Sequence, residues 1–422
     1  MDRYTLKERA SSIFDTANSL ADELSRIGQE EPSLEHGLPA ALDVSAGPSK
    51  AKNLKQQLHE LVDELNALLT EPHFHLASDR RLPNLSLHSI IRLGIPENFP
   101  DQGTTVTDLA KSANLSPSIV RRLLKHSATY HIFYESEADF FVHTAASRAL
   151  SKDQGIRDLV EFFIEEGTPA WCSIPESVRK YPNSEETGHS GWNVGHNMKE
   201  PIFPGISAFP EREARFARAM AYGAGQPGLA TKYLVESFPF PRPTPKGFTV
   251  VDLGGGMGQA SRSLARHDQA ARFFVQDTKD TVAQGAATLP EDLKDQITYQ
   301  AHDFFTEQPV RGADVYLIRH VLHDWSDKYA IKILRQLIPA LKPGAKIVVN
   351  ERVLPGRHEV HYLTEREARH FDLHMLAILN ALERTLDDWK ELFNKADPRF
   401  EFKGVQTTEG ALASVIEVVW RG

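Results

Sequence analysis

One cysteine, Cys172, stands among 422 residues. No intrachain disulfide can form, so packing and hydrogen bonds must hold the fold. Such usage fits a reducing compartment. No apolar run reaches the roughly 18 residues a membrane-spanning helix needs. The opening stretch, MDRYTLKERASSIFDTANSL, is amphipathic and carries acids, where a signal peptide would carry an unbroken apolar core. A cytoplasmic location without a membrane partner is therefore expected. Basic tracts are also missing. Lys and Arg number 48 against 57 Asp and Glu, a net charge of −9 spread along the chain. That balance argues against nucleic acid as the main partner. No internal repeat is present.

What is present is organised around Phe248 to Asp277, FTVVDLGGGMGQASRSLARHDQAARFFVQD. An apolar run ends in Asp252, and glycines follow at Gly254, Gly255, Gly256 and Gly258. A helical segment leads to a second apolar run that closes on Asp277. The order is strand, glycine turn, helix, strand, acid. Glycines let backbone approach a ligand without a Cβ clash, and an acid in that position can grip ribose hydroxyls. A dinucleotide fingerprint wants glycine at its first, third and sixth positions. Counted from Gly254, the sixth position is Gln259. The pattern is D-x-G-x-G-x-G, a form associated with S-adenosylmethionine (SAM). A nicotinamide dinucleotide and a purely structural turn are the other readings.

The chain is long enough for two or three domains. Helical spacing marks Arg3 to Ile27 and Ala51 to Leu69. Between them, a stretch near 28–50 rich in Glu, Pro, Gly and Ser reads as a mobile linker. Residues 1–83 thus form a helical arm, for dimerisation or for packing onto the same chain. Residues 84–155 read as a winged helix. A helix at Leu85–Leu93 leads in, helices at Thr107–Ala113 and Pro117–Ser127 follow, and Ile132–Tyr134 with Phe140–Val142 form the wing. Arg121, Arg122 and Lys125 on its second helix are too few for a broad basic surface, so dimer contacts are favoured over DNA. Residues 156–246 are expected to be a helical connection. Its aromatics, among them Trp171, Tyr181, Trp192 and Phe203, are core or substrate wall. From 247 to 422 strands alternate with helices, which predicts an α/β Rossmann-like domain with seven strands and an antiparallel edge hairpin.

Ligands bind beyond the C-terminal ends of such strands. That rule gathers Gly254, Asp277, Asp303, Arg319 and Glu351 around one crevice. After the fourth strand comes Arg319-His320-Val321-Leu322-His323-Asp324-Trp325. A histidine there can act as a general base near neutral pH. His320 and His323, at i and i+3, could also suggest a metal, but the local sequence fixes no third ligand. His73 and His75 are an equally weak metal signal. Glu351 and Glu383 could flank and orient a histidine, or could be solvated surface residues.

Six stretches in order, VVDLGGGMGQAS, VQD, HDFF, RHVLHDWSD, VVNERVLP and FDLHMLAILNALERT, resemble the plant caffeate-type O-methyltransferases and their fungal relatives. The upstream segments YHIFYE and FVHTAASRAL are similar to the winged helix of the fungal branch. The resemblance covers 84–422. It implies SAM-dependent methyl transfer to a phenolic hydroxyl of a small aromatic, polyketide-type molecule, with S-adenosyl-L-homocysteine as product and a homodimer formed through the N-terminal region. Residue by residue it implies His323 as general base, flanked by Glu351 and Glu383. Asp252, Gly254, Gly255 and Gly256 would meet the methionine part of SAM, and Asp277 its ribose. Asp303, Phe304 and Trp325 would lie at the adenine and Arg319 near the cofactor. Asp372 and Asn380 would line the substrate pocket. Two other readings remain. One is a SAM-binding pericyclase or dehydratase that moves no methyl, since fold does not settle function. The other is a DNA-binding regulator.

Overall fold

The computed structural model describes residues 5–32, 49–71, 83–241 and 247–422. Most of the stretch near 28–50, and His73 and His75, lie outside them. Contacts divide the chain into two compact units, Met1–Ile164 and Glu165–Gly422. The helical stretch expected at 156–246 is shared between them.

In the first unit, helix Leu6–Arg26 starts where Thr5 and Glu8 close a capping box. It pairs with helix Ser49–Leu69 through Leu20, Leu24 and Ala51, against which Leu54 and Leu58 pack. Leu6, Phe14, Val62, Leu68 and Leu69 on these two helices stay exposed. The winged helix follows expectation. Helices Val106–Ser112 and Pro117–Ala128 pack on strands Phe133–Glu137 and Phe140–His143. Two of the three basic side chains on its second helix pair with acids of the same domain. Arg121 Nε bonds Asp139 at 3.0 Å and Lys125 Nζ bonds Glu135 at 2.8 Å.

The second unit is built on seven strands. They are β1 (Phe248–Leu253), β2 (Ala271–Asp277), β3 (Ile297–Ala301), β4 (Val315–Arg319), β5 (Lys346–Glu351), β6 (Phe400–Gln406) and β7 (Ser414–Trp420). Their spatial order is β6-β7-β5-β4-β1-β2-β3. The first five run parallel, while β7 lies antiparallel to both β5 and β6. Both faces are covered, so β1 reads as a continuous apolar run. Val251 and Leu253 face one core with helices Asp327–Leu337 and Leu386–Ala396. Phe248 and Val250 face the other, with helix Gln259–His267. All five parallel strands end on one side, and the crevice expected there is where the chemistry-bearing residues gather. Among the described residues no helix is long and apolar enough to cross a membrane.

Candidate active site

β4 runs out at Arg319, and the chain turns through His320 in a left-handed conformation, φ 51°. A single turn of 3-10 helix, Leu322–Asp324, then presents His323. Two neighbours fix that turn. Glu351, fully buried at the end of β5, accepts the backbone N–H groups of Val321 at 2.8 Å and Leu322 at 2.9 Å through Oε1. Arg384, also fully buried, donates to the Leu322 carbonyl at 2.8 Å, the Trp325 carbonyl at 2.9 Å and Asp327 at 3.0 Å. Arg384 carries no motif signal, and sequence reasoning missed it. Arg384→Lys cannot reach all three acceptors, so a loss of about 1–2 kcal/mol in a denaturant melt is expected.

The His323 Nδ1 lies 2.8 Å from Glu383 Oε1 and 3.8 Å from Glu351 Oε2. Its Nε2 lies 3.5 Å from Asp324 Oδ1. The short contact makes Nδ1–H the donor to Glu383, and in the neutral ring Nε2 then carries the lone pair that can accept a proton. Burial disfavours charge on the ring, but Glu351, Asp324 and Glu383 outweigh it and raise the His323 pKa. Glu351 is held down in turn: burial pushes it up, and His323, His320 and the Val321 N–H together more than reverse that. A carboxylate-braced imidazole of this kind can take a proton from a hydroxyl as that oxygen attacks. The structure therefore brings His323, Glu351 and Glu383 together from three distant segments.

The glycine turn lies beside this loop. A Cβ on Gly254 would come within 2.7 Å of Val321 Cγ2, and one on Gly255 within 2.7 Å of the Asp252 carboxyl carbon. Gly254 and Gly256 also have positive φ, 64° and 57°. At Gly254 both space and backbone exclude a side chain, at Gly255 space does, and at Gly256 backbone does. Asp252 is fully buried. Its Oδ2 accepts from Ser261 at 2.6 Å, whereas Oδ1 has no hydrogen-bond partner. Burial pushes this carboxyl up to about 6, with Ser261 and Arg319 working against the rise. Asp277 accepts the Gly256 N–H at 2.9 Å and the Thr278 N–H at 2.7 Å. Phe304 packs edge-on to Trp325, ring centroids 5.9 Å apart, and the exposed Asp303 accepts the Phe305 N–H at 2.9 Å.

Three expected contact residues have their polar groups committed elsewhere. Arg319 bonds Asn350 at 2.9 Å and the Leu229 carbonyl at 2.6 Å. Asp372 accepts the Glu383 N–H at 3.1 Å. Asn380, left-handed at a helix C-terminus, donates to the carbonyls of Ser184 at 2.8 Å and Glu186 at 3.1 Å. Their observed bonds position neighbouring backbone. The aromatics upstream are mostly structural. Trp192 is fully buried and donates to Glu166 at 2.8 Å. Trp171 Nε1 donates to His374 Nδ1 at 2.9 Å, and burial with the nearby His323 charge pushes His374 down to about 4. The Trp171–His374 pair, separated by more than 200 positions, left no signal in the sequence.

A profile of the O-methyltransferase domain matches residues 182–398. The O-methyltransferase AMT9 of Alternaria alternata is 37% identical over 388 residues, 89% of this chain and 88% of the relative. The chlorophenol O-methyltransferase of Trichoderma longibrachiatum is 34% identical over 418 residues, 97% and 89% of the two chains. Among solved structures, a variant of LepI in complex with SAH and a substrate analogue superposes with a TM-score of 0.77 at 21% identity, covering 99% of this chain and 100% of that one. At that identity the likeness concerns the fold. The residues present suit SAM: a Cβ at Gly256 would meet nothing nearer than 3.9 Å, so that side of the turn is open, and the unpartnered Asp252 Oδ1 is a match for a cationic amine. Sequence relatives, matched domain and crevice agree, and the chain belongs to the O-methyltransferase family, with S-adenosyl-L-methionine as methyl donor.

Proposed function

We propose that this O-methyltransferase acts on a phenolic hydroxyl of a small aromatic metabolite, with His323 Nε2 as general base. The observation that carries the reading is the 2.8 Å bond between His323 Nδ1 and Glu383. It commits one ring nitrogen and leaves the other as acceptor. A phenol with a pKa of about 10 is neutral at pH 7, so its proton must leave as the oxygen attacks. His323 takes that proton at Nε2, and Glu351 and Glu383 stabilise the imidazolium that results. When bound, the cofactor would supply a methyl group already activated on a positively charged sulfonium. Phe304 and Trp325 exclude water beside the glycine turn, and Asp252 and Asp277 hold the polar ends of the cofactor. Asp303, Arg319, Asp372 and Asn380 position the backbone around the site through the bonds described. Most of the remaining rate comes from alignment. A relative of 34% identity named for a chlorophenol supports a phenol over an aliphatic alcohol.

Purified protein incubated with methyl-labelled SAM and a panel of aromatic phenols is expected to place label in product. Chemical change in an acceptor without label would instead support the pericyclic reading of the same fold.

The N-terminal hairpin, we infer, joins two copies of the chain. Its support is the row of exposed apolar residues, with Phe14 67% and Leu69 64% accessible. Light scattering is expected to give twice the 47.3 kDa chain mass, and Phe14→Asp with Leu69→Asp is expected to shift it to the monomer. An unchanged dimer would move the contact elsewhere.

A further inference from the structure

His320 stands at the end of β4, one helical turn ahead of His323. Its left-handed backbone is unfavourable for a residue with a Cβ, and such strain marks places where function has a use for it. The bend brings its ring centroid to 5.7 Å from that of His323. The His320 Nδ1 lies 3.7 Å from Glu351 Oε2, and the His323 Nδ1 lies 3.8 Å from the same oxygen. Both distances are too long for hydrogen bonds. Glu351 Oε2 has no hydrogen-bond partner although its residue is fully buried. Its twin oxygen is anchored by two backbone N–H groups, so Oε2 cannot swing out to find one. The Nε2 of His320 and the Oε2 of Glu383 are also buried without partners. One donor atom from each of His320, His323 and Glu351 lies within 4.8 Å of the others. A buried carboxylate oxygen facing two imidazole nitrogens is a setting that a cation satisfies.

We propose that His320, His323 and Glu351 form a binding site for a divalent cation of borderline softness, best matched by Zn2+, and that its occupancy switches methyl transfer off. Two imidazoles and one carboxylate form a recurrent zinc donor set with an open fourth position. Ligand atoms of a tetrahedral zinc stand about 3.4 Å apart, so the 3.7 and 3.8 Å to Glu351 require shifts of a few tenths of an ångström, and the two imidazoles, whose donor atoms lie within 4.8 Å, close the remainder by ring rotation. Glu383 is at hand as a fourth ligand or as an orienting neighbour. Hard cations such as Mg2+ prefer all-oxygen cages and are excluded by the donor set. The i, i+3 histidines lacked a third ligand in the sequence, and the neighbouring strand β5 supplies it.

The inhibitory half rests on the reading of His323 as base. Without the ion, Nδ1–H donates to Glu383 and the Nε2 lone pair receives the acceptor's proton. The ion takes the Nδ1 lone pair. The neutral ring then exchanges its Nδ1 proton for one on Nε2, and nothing remains there to accept a proton.

Tag-free, full-length protein stripped with a chelator would be titrated with ZnCl2 and, separately, MgCl2 by calorimetry. CoCl2 binding would be followed by visible absorption. One Zn2+ per chain, a tetrahedral cobalt spectrum and no Mg2+ binding are expected. Zn2+ is also expected to lower methyl transfer at least tenfold, reversibly on chelation. His320→Asn keeps a residue tolerant of left-handed backbone and removes the imidazole. It is expected to lose about 100-fold in Zn2+ affinity, and its methyl transfer no longer responds to the ion. Equal Zn2+ affinity in both proteins, equal inhibition in both, or no binding at all overturns the proposal. The wild-type cobalt spectrum depends on no variant, and octahedral cobalt overturns it as well. If metal-free wild type transfers no methyl group, the proposed function fails while the binding arm still decides the site.

Discussion

His323→Ala is expected to lower kcat for methyl transfer by about 10²- to 10⁴-fold, the usual contribution of a positioned general base. Cofactor affinity is expected to stay within about threefold, because the ring's observed bonds go to Glu383 and its own loop, and none to the glycine turn. A fall in kcat with binding preserved is the signature of an interaction made in the transition state. Single-turnover label transfer and calorimetry read the two quantities separately. Glu383→Gln separates position from charge. The amide oxygen can still accept from Nδ1, but the imidazolium loses one of the carboxylates that stabilise it. A loss of roughly tenfold is expected, well short of the His323→Ala effect. Equal losses in kcat and affinity for His323→Ala would place the histidine in binding and leave the base unassigned.

For Asp252→Asn, stability and binding are expected to move in opposite directions. Burial raises this carboxyl from 3.8 to about 6. A group whose folded pKa lies above its unfolded value contributes stability that is complete below the unfolded pKa and lost as pH rises through the folded one. Here that window runs from about pH 4 to just above 6. A shift of about two units corresponds to about 3 kcal/mol. The stability of the variant relative to the parent, both free of cofactor, is therefore expected to improve by about 3 kcal/mol between pH 4 and pH 8. Urea melts at the two pH values read this directly, and a flat difference would show that the parent carboxylate ionises without penalty. Cofactor binding should move the other way. The amide keeps the shape but not the charge that a cationic amine would meet at Oδ1, so a loss of at least tenfold is expected, in line with a charge-assisted hydrogen bond. A buried, half-satisfied carboxylate is thus a cost to the empty protein that the ligand offsets.

The parts that were legible in the sequence are those written within one or two neighbouring elements. The apolar run Phe248–Leu253 with its glycines marks a strand, a turn and a crevice without reference to the rest of the chain. The capping box at Thr5 and Glu8, and the short wing strands around Asp139, are equally local. The alternation of strands and helices placed Glu351 at a strand end, on the same side as His323. Direction and pairing were not legible. Asn380 and Asp372 are the residue types a polar pocket wall would use, yet they point at backbone groups of Ser184, Glu186 and Glu383. Arg319 ties β4 to β5 through Asn350, a bond between neighbouring strands that no motif records. Arg384 sits 62 positions beyond Leu322, whose carbonyl it holds. No periodicity records such a bond, since it depends on which helix ends meet once both cores have closed.

The place of β7 has a consequence for how the protein is made. The last strand in the sequence lies between β5 and β6. While the chain emerges from the ribosome, β5 has β4 on one side and no partner on the other until Ser414–Trp420 arrive. The strand that carries Glu351 is then an open, apolar edge, the kind of surface that pairs with a neighbouring chain. That end of the sheet is therefore finished by Ser414–Trp420, which follow every residue of the site in the chain. A nascent chain has almost every residue of the site before it has the strand that makes the site safe to assemble.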